Sequence, residues 1–142
     1  MAKTYRHSVL RRFSNAAVMS MLRSGLAPSN YALLTVVGRK SGRGRSTPVR
    51  PIRYGGALWL VAPYGAVQWV RSARAAGEVT LTIRGIPQGY RVIECGPDES
   101  APVLKEYVRA VPVTRPYFDA KPDDPPERFA AEADRHPVFR LE

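Results

Sequence analysis

The sequence predicts a mainly β domain with helices, of the α+β class, in which short antiparallel strands close into a small barrel. Five central segments are rich in β-branched and aromatic residues, and glycine, proline or polar residues separate them. Helical patterns lie before, between and after these segments, without the regular alternation that is typical of a parallel sheet. With 142 residues the chain has the size of one ordinary domain, and we expect residues 1–142 to form it.

The first predicted element is a helix over residues 8 to about 25. Its apolar side chains recur at helical spacing from Val9 to Met21, and Gly25 and Pro28 follow as a stop signal. We expect this helix to pack on or beside the barrel. Its basic flanks leave open a weak, peripheral association with a membrane, although no apolar run approaches the ~20 residues of a spanning helix.

The predicted strands follow in order, and further helical patterns separate them. The strands cover residues 31–37, 48–54, 57–62, 79–84, 90–95 and 136–141, and helices are expected within 66–76, 96–111 and 121–134. The glycine pair of "YGGA" (54–57) predicts a tight hairpin. Pro48 and Pro51 favour an edge position for the second strand, because proline cannot donate a ladder hydrogen bond.

Positive charge is concentrated in the first half of the chain. The formal net charge is +10, and residues 1–77 hold thirteen Lys and Arg but no Asp or Glu, whereas all twelve acids lie in residues 78–142. This half favours an anionic ligand and lacks the paired carboxylates of glycoside hydrolysis. His7 and His136 lie near opposite termini, and no Cys/His cluster has the spacing of a metal site. If the protein is an enzyme, we expect its chemistry to come from a bound cofactor.

The single cysteine, Cys95, cannot form an intramolecular disulfide, which fits a reducing cytosol. It lies in a predicted strand, "YRVIEC", so we expect a buried and inert thiol. The sequence therefore predicts a cytoplasmic protein.

The segment "GRKSGRGRSTP" (38–48) forms a basic loop with four cations and three glycines. Its glycines, cations and hydroxyls suit a phosphate or carboxylate, although the order of a Walker phosphate loop is missing. A solvated loop between strands is an equally good interpretation of the residues alone. A nucleic-acid backbone is a weaker alternative, since no aromatic platform lies nearby, and we expect no nucleic-acid partner.

The sequence resembles the deazaflavin (F420)-dependent nitroreductase-like proteins of actinobacteria. The resemblance rests on "LLTVVGRKSGRGRSTPV", "GGALWLVAPYG" and "QWVRSARAAGEVTLTIRG", and it covers most of the chain. It implies a split β-barrel of the flavin- or deazaflavin-binding type, coenzyme F420 as cofactor, and a homodimer as one assembly state. The implied activity is an F420H2-dependent reductase that transfers a hydride to a small quinone-like, nitro or unsaturated substrate. An FMN-binding split-barrel protein and a non-catalytic deazaflavin carrier are the alternatives.

The resemblance also implies which residues form the site, and none of them is a metal ligand. The phosphate and neighbouring groups of the cofactor would contact Arg39, Lys40, Ser41, Arg45, Ser46, Thr47 and Pro48. The deazaflavin ring would lie beside Ala62, Pro63, Tyr64 and Gly65, and the following helix would contribute Gln68, Trp69, Val70, Arg71 and Arg74. Tyr64 and Tyr117 are the candidate catalytic residues, for contact with substrate or proton relay, and Tyr107 is a further candidate.

Two departures from the family pattern lie in this region. The family's asparagine-leucine-arginine-alanine-asparagine-proline run is "SARAAG" here (72–77), where Gly77 can end the helix in place of the proline. Pro63 and Tyr64 stand where smaller residues are common, so the tyrosine can fill substrate space. These departures leave open whether the ring pocket keeps its usual shape.

Overall fold

A computed structural model gives the fold and describes residues 30–37 and 44–142. The strands are β1 (Ala32–Val37), β2 (Gly44–Val49), β3 (Ile52–Tyr54), β4 (Ala57–Val61), β5 (Glu78–Ile83), β6 (Ile86–Glu94) and β7 (Val138–Leu141). The helices are α1 (Gln68–Ala76), α2 (Pro97–Ala110) and α3 (Pro126–Ala130), with 3₁₀ turns at Pro112–Tyr117 and Ala133–Arg135. The predicted helix over residues 8–25 lies outside the described residues.

The strands form one antiparallel sheet in the order β2-β1-β5-β6-β7-β4-β3. Three strands separate β1 from β4 in this order, which in a flat sheet would hold them about 19 Å apart. Leu34 of β1 and Leu60 of β4 nevertheless belong to one buried cluster, together with Val70 of α1 and Phe139 of β7. The sheet therefore curls around this cluster, as the predicted barrel requires.

Strand β4 separates this barrel cluster from a second core. Leu58 and Leu60 face the barrel, whereas Trp59 and Val61 pack with α2 and α3, because successive side chains of a strand point to opposite faces. The chain then leaves β4 between the two cores, so that residues 62–65 turn beside both of them.

The predicted strand over residues 48–54 is wrong, because this stretch belongs to two strands. Pro51 interrupts it, since proline restricts the backbone and has no N–H for the ladder. The parts on either side, β2 and β3, form the two opposite edges of the sheet, so the predicted edge character is confirmed. Residues 44–48, predicted as loop, lie on β2, where Pro48 pairs with Leu33.

Two predicted chain reversals are confirmed. The hairpin between β3 and β4 turns at Gly55 and Gly56, whose φ angles of 59° and 78° are costly for other residues. Helix α1 ends at Gly77 with φ 74°, and the Gly77 N–H donates to the Ala73 carbonyl at 2.8 Å. In the described part of the chain, no helix is both long and apolar enough to cross a membrane.

Candidate functional site

Two predicted cofactor residues on β2 face helix α1. Paired residues of antiparallel strands point to the same side of the sheet. Arg45 lies opposite Val36 and Thr47 lies opposite Leu34, and both partners pack in the barrel cluster with α1. The register therefore turns Arg45 and Thr47 toward the side of the sheet that α1 covers.

The other two predicted residues on β2 point to the opposite side. The Ser46 hydroxyl lies 2.8 Å from the hydroxyl of Thr35, its partner on β1, and Pro48 shares this side of the strand. The predicted set thus divides between the two faces of β2. Arg39, Lys40 and Ser41 lie outside the described residues.

The predicted ring-contacting residues form a tight turn after β4. Ala62 and Pro63 are buried, and Tyr64 and Gly65 are half-buried. The Ala62 N–H donates to the Pro137 carbonyl at 2.8 Å, and the Gly65 N–H donates to the Ala62 carbonyl at 3.2 Å. Gly65 adopts φ 93°, which favours glycine at this position. The turn is therefore fixed to β4 and to the chain that enters β7.

Helix α1 presents both apolar and polar predicted residues. Val70 is fully buried, and Trp69 is half-buried against Phe139, with 5.9 Å between ring centroids. Gln68 and Arg71 are exposed, and the first turn of the helix holds no acidic residue. The indole therefore serves partly as core packing, as the sequence alone would suggest, and partly as accessible aromatic surface.

Arg74, the last predicted cofactor residue, already has a partner. Its guanidinium donates to both carboxylate oxygens of Glu94 on β6, at 2.8 and 2.6 Å. This hydrogen-bonded pair raises the pKa of Arg74 above its ordinary value. Arg74 can bind a cofactor tail only by sharing this carboxylate or by leaving it.

Arg45 and Arg71, by contrast, are exposed and pair with none of the described carboxylates. We refer to these two residues as the exposed cations. An unpaired guanidinium is free to form bidentate hydrogen bonds with phosphate or carboxylate oxygens. With the apolar turn and Trp69, the described residues therefore fit a cofactor that has a flat ring and an anionic tail.

The two candidate catalytic tyrosines lie together. The rings of Tyr64 and Tyr117 meet edge to face, with 4.8 Å between centroids and 76° between planes. Tyr107, on α2, is buried, and burial first and the nearby Tyr64 and Tyr31 phenols second raise its pKa well above the ordinary value. Tyr107 thus keeps its hydroxyl proton at any physiological pH. Tyr31, Tyr64, Tyr107 and Tyr117 are called the tyrosine cluster below.

Sequence reasoning missed Tyr31 and the neighbouring Arg50. Arg50 interacts electrostatically with Tyr107 and partly opposes the rise of its pKa. Tyr31 directly precedes β1 and Arg50 directly follows β2, and the pairing of Ala32 with Val49 brings them to the same end of this strand pair. The register of β1 and β2 was the signal that would have identified both residues.

Cys95 is half-buried rather than buried, which corrects the expectation from its strand. Desolvation, followed by hydrogen bonding with Glu99, raises the pKa of its thiol to about 12. The thiolate is the reactive form, so Cys95 is unsuited to nucleophilic chemistry at neutral pH. The predicted inertness therefore has a physical basis even without full burial.

Comparison with solved structures shows the fold. An F420-H2-dependent reductase (FDR-A) matches with 21% identity and a TM-score of 0.57, over 80% of this chain and 94% of that chain. A domain-swapped dimer matches with 19% identity and a TM-score of 0.59, over 94% and 96%. An FAD-binding protein from Mesorhizobium loti matches with 12% identity and a TM-score of 0.52, over 95% and 88%. The predicted α+β split β-barrel is confirmed.

Comparison with protein families shows the activity class. The model of a family described as F420H(2)-dependent quinone reductase matches residues 6–120, which is most of the chain. No curated protein matches the chain significantly. The predicted reductase activity and the predicted cofactor are confirmed by the family match. The chain belongs to the F420H2-dependent quinone reductase family, and it is therefore an oxidoreductase that uses coenzyme F420.

Proposed function

We propose that the protein holds reduced F420 between β2, the turn at residues 62–65 and α1, and that it reduces a quinone placed against the tyrosine cluster. The observation that carries this proposal is the register of β2, which turns Arg45 and Thr47 toward the side that α1 covers. The same side of the sheet thus offers a cation, a hydroxyl and the partly accessible indole of Trp69.

Arg45, Thr47 and Arg71 are proposed to bind the anionic tail of the cofactor. Guanidinium groups pair with phosphate and carboxylate in two parallel hydrogen bonds, and the threonine hydroxyl adds a further donor. The same proposed set includes Arg39, Lys40 and Ser41. It also includes Ser46 and Pro48, which lie on the other face of β2 and are proposed to stabilise this strand.

The turn and α1 are proposed to bind the ring. Ala62 and Pro63 are buried and Gly65 is half-buried, so we propose that the backbone of this turn lies along one side of the ring, while Val70 anchors the helix in the core. Gln68 and Trp69 contribute one polar and one aromatic contact from the first turn of α1. A flat apolar wall with a few polar groups is typical of a cofactor pocket.

When bound, reduced F420 supplies a hydride. Besides the hydride, reduction of a quinone to a hydroquinone requires one proton, and hydroxyl groups polarise the carbonyl oxygens by donating hydrogen bonds. Tyr64 and Tyr117 are proposed to contact the substrate in this way, and their edge-to-face rings offer an aromatic surface to a planar quinone. Tyr107 keeps its proton because burial raises its pKa, so it supports the arrangement as a neutral phenol.

A fluorescence titration with oxidised F420, run in parallel with FMN at two salt concentrations, tests the cofactor site. We expect saturable binding that is selective for F420 and weaker at high salt, because part of the affinity is electrostatic. Turnover of a soluble naphthoquinone with reduced F420 then tests the activity. Binding of FMN in preference to F420 would contradict the assignment, and F420 binding without turnover of quinones or nitroaromatics would indicate a carrier.

We propose a homodimer as the working assembly. One similar solved structure is a domain-swapped dimer. The described surface also keeps three large apolar side chains well exposed, namely Val37, Ile86 and Val113. Analytical ultracentrifugation with and without F420 tests this, and a single monomeric species across the micromolar range would contradict it.

We propose that the protein works in the cytoplasm, in at most peripheral contact with the membrane. The cofactor class and the single cysteine support this location. Co-sedimentation with anionic vesicles, for the full chain and for a variant with Arg11 and Arg12 replaced by Gln, tests the peripheral contact. Equal sedimentation of both proteins would show that the basic side chains within residues 8–25 do not cause the membrane contact.

A further inference from the structure

Two buried polar residues, Glu132 and His136, lie beyond residue 120, outside the range that the family model matches. The side chains of Glu132 and His136 are 3% and 4% exposed. The His136 Nε2 atom lies 2.8 Å from Glu132 Oε1, and its Nδ1 atom lies 2.9 Å from the carbonyl oxygen of Pro63. The imidazole also stacks on the Phe118 ring, with 3.9 Å between centroids and 23° between planes. We call Glu132 and His136 the buried clamp.

The hydrogen bonds fix the orientation of the imidazole. The Pro63 carbonyl oxygen can only accept, so His136 Nδ1 must carry a hydrogen and donate it. The other ring nitrogen, Nε2, forms its hydrogen bond with the Glu132 carboxyl group. A ring held at both nitrogens and on one face cannot rotate without losing a buried hydrogen bond.

Glu132 extends the clamp to a second segment of the chain. Its carboxylate accepts from the Asp119 N–H at 3.1 Å and from the Ala120 N–H at 2.8 Å. At the edge of the network, Arg135 donates to the Asp119 carboxylate at 2.7 Å. The backbone directly after Phe118 is thereby tied to the same two side chains that hold Pro63.

The two backbone segments that the clamp holds are adjacent in sequence to Tyr64 and Tyr117. Pro63 directly precedes Tyr64, and Phe118 directly follows Tyr117, and these two tyrosine rings are 4.8 Å apart. The turn at residues 62–65 and the segment at 117–120 come from distant parts of the sequence, and the buried clamp connects them through side-chain hydrogen bonds. A buried polar pair often contributes little net stability compared with an apolar pair of equal volume, so we infer that this pair serves to fix one arrangement of the two segments.

We propose that Glu132 and His136 are positioning residues that hold Tyr64 and Tyr117 at the distance and angle that substrate reduction requires. The inference rests on the proposed function of the two tyrosines, and it adds residues that neither the family match nor the sequence pattern assigns. Small errors in the placement of substrate-contacting groups reduce the rate of the reaction more than they reduce binding.

Two substitutions at His136 separate the two hydrogen bonds. In His136→Asn the amide nitrogen takes the place of Nδ1 and keeps the bond to Pro63, while the bond to Glu132 is lost. In His136→Gln the amide nitrogen takes the place of Nε2 and keeps the bond to Glu132, while the bond to Pro63 is lost. Each variant removes one buried hydrogen bond, and urea unfolding measures the stability cost of each. Asp134→Asn, on an exposed residue of the same 3₁₀ turn, is the control.

The expected result is a tenfold or larger loss of kcat for both His136→Gln and His136→Asn with reduced F420 and a naphthoquinone, because each variant breaks one of the two hydrogen bonds that link Pro63 to residues 119–120. The Kd for F420 should stay within twofold of the wild-type value, and Asp134→Asn should keep the wild-type kcat. All rates are measured at a temperature where urea unfolding shows each variant to be more than 95% folded. An unchanged kcat in either His136 variant, or an equal loss of kcat in Asp134→Asn, would overturn the inference.

NMR spectra of protein with ¹³C-labelled tyrosine rings give a readout that is independent of turnover. We expect His136→Gln to shift or broaden the ring signals of Tyr64 and Tyr117 and to leave those of the exposed Tyr54 unchanged. Unchanged Tyr64 and Tyr117 signals in a protein that turns over would overturn the clamp and keep the proposed function. Changed signals in His136→Gln, together with a wild-type protein that shows no turnover, would support the clamp and reject the proposed function. If His136→Gln does not fold, Glu132→Gln, which loosens the 119–120 segment instead, is tested for the same two signals.

Discussion

The polar residues on the two sides of β4 differ in their exposure and in their pairing. On the side of α1, Arg45 and Arg71 are exposed and pair with none of the described carboxylates. On the side of α2 and α3, Glu132 and His136 are buried and each makes at least two hydrogen bonds within the protein. Unpaired exposed charge is available to a ligand, whereas paired buried groups determine internal geometry. This difference is the reason why we propose cofactor binding on the first side and placement of the tyrosines by the second.

The largest effect is expected where a buried pair is broken. Glu132→Ala removes the partner of His136 and leaves the Asp119 and Ala120 N–H groups without their acceptor. We expect the free energy of unfolding to fall by about 3–5 kcal/mol, which is typical for breaking a buried pair on one side. Urea unfolding measures this change.

The exposed Glu127→Ala, on α3, is the control for that substitution. A change of at most about 0.5 kcal/mol is expected there, since it removes an exposed side chain away from such a network. Similar losses in both variants would mean that the buried clamp does not differ energetically from the protein surface.

A second large effect concerns the reactivity of Cys95, which lies next to α2. Its thiol pKa is raised from 9.0 to about 12, so the thiolate is scarce at pH 8. Alkylation by iodoacetamide at pH 8 should therefore be roughly tenfold to a hundredfold slower in the folded protein than in the urea-unfolded chain, because the lower thiolate fraction outweighs the higher nucleophilicity of the more basic thiolate. Mass spectrometry follows the reaction, and comparable rates in the two states would show that desolvation on this side is weaker than the comparison requires.

The exposed cations should show a smaller but ligand-specific effect. Arg45→Ala combined with Arg71→Ala removes two charge-assisted hydrogen bonds to the F420 tail, and we expect the Kd to rise about 100-fold at low salt. The difference should shrink as salt is added, because exposed charges are screened. The free energy of unfolding should change little.

Arg53→Ala combined with Arg128→Ala is the matched control for those two substitutions. Both residues are exposed and carry the same charge, but they lie on β3 and α3 and do not belong to the set that is proposed to bind F420. An equal loss of affinity in this control would reduce the role of Arg45 and Arg71 to a general effect of net charge.

Features that depend on local sequence could be predicted, whereas features that depend on strand pairing could not. The basic segment, the glycine-pair hairpin and the helix end at Gly77 are local patterns, so their residues could be identified without tertiary structure. The division of Arg45 and Ser46 between two faces depends on strand register, and the break at Pro51 depends on which sheet edge each part joins.

The buried clamp could not be inferred in the same way. His136 near the end of the sequence gave no signal, because its partners Pro63 and Phe118 meet it only in the folded chain. The sequence therefore predicts features that rest on local patterns, and it does not reveal the residues that connect distant segments. Tyr31 and Arg50 were missed for the same reason, since only the pairing of β1 with β2 brings them together.

The smallest expected effect tests Arg74, which combines features of both sides because it is exposed and yet paired. Glu94→Gln releases its guanidinium from a bidentate partner. The free energy of unfolding should change by less than about 1 kcal/mol, because solvent screens an exposed pair. If Arg74 reaches the cofactor tail, its release should lower the Kd for F420 by roughly twofold to fivefold, as expected for one further screened charge contact.

Glu142→Gln removes the same charge from the exposed pair with Arg91 and should leave the Kd unchanged. Isothermal titration of the three proteins decides the question: an equal gain in both variants is an effect of net charge, and no gain in either places Arg74 outside the cofactor site.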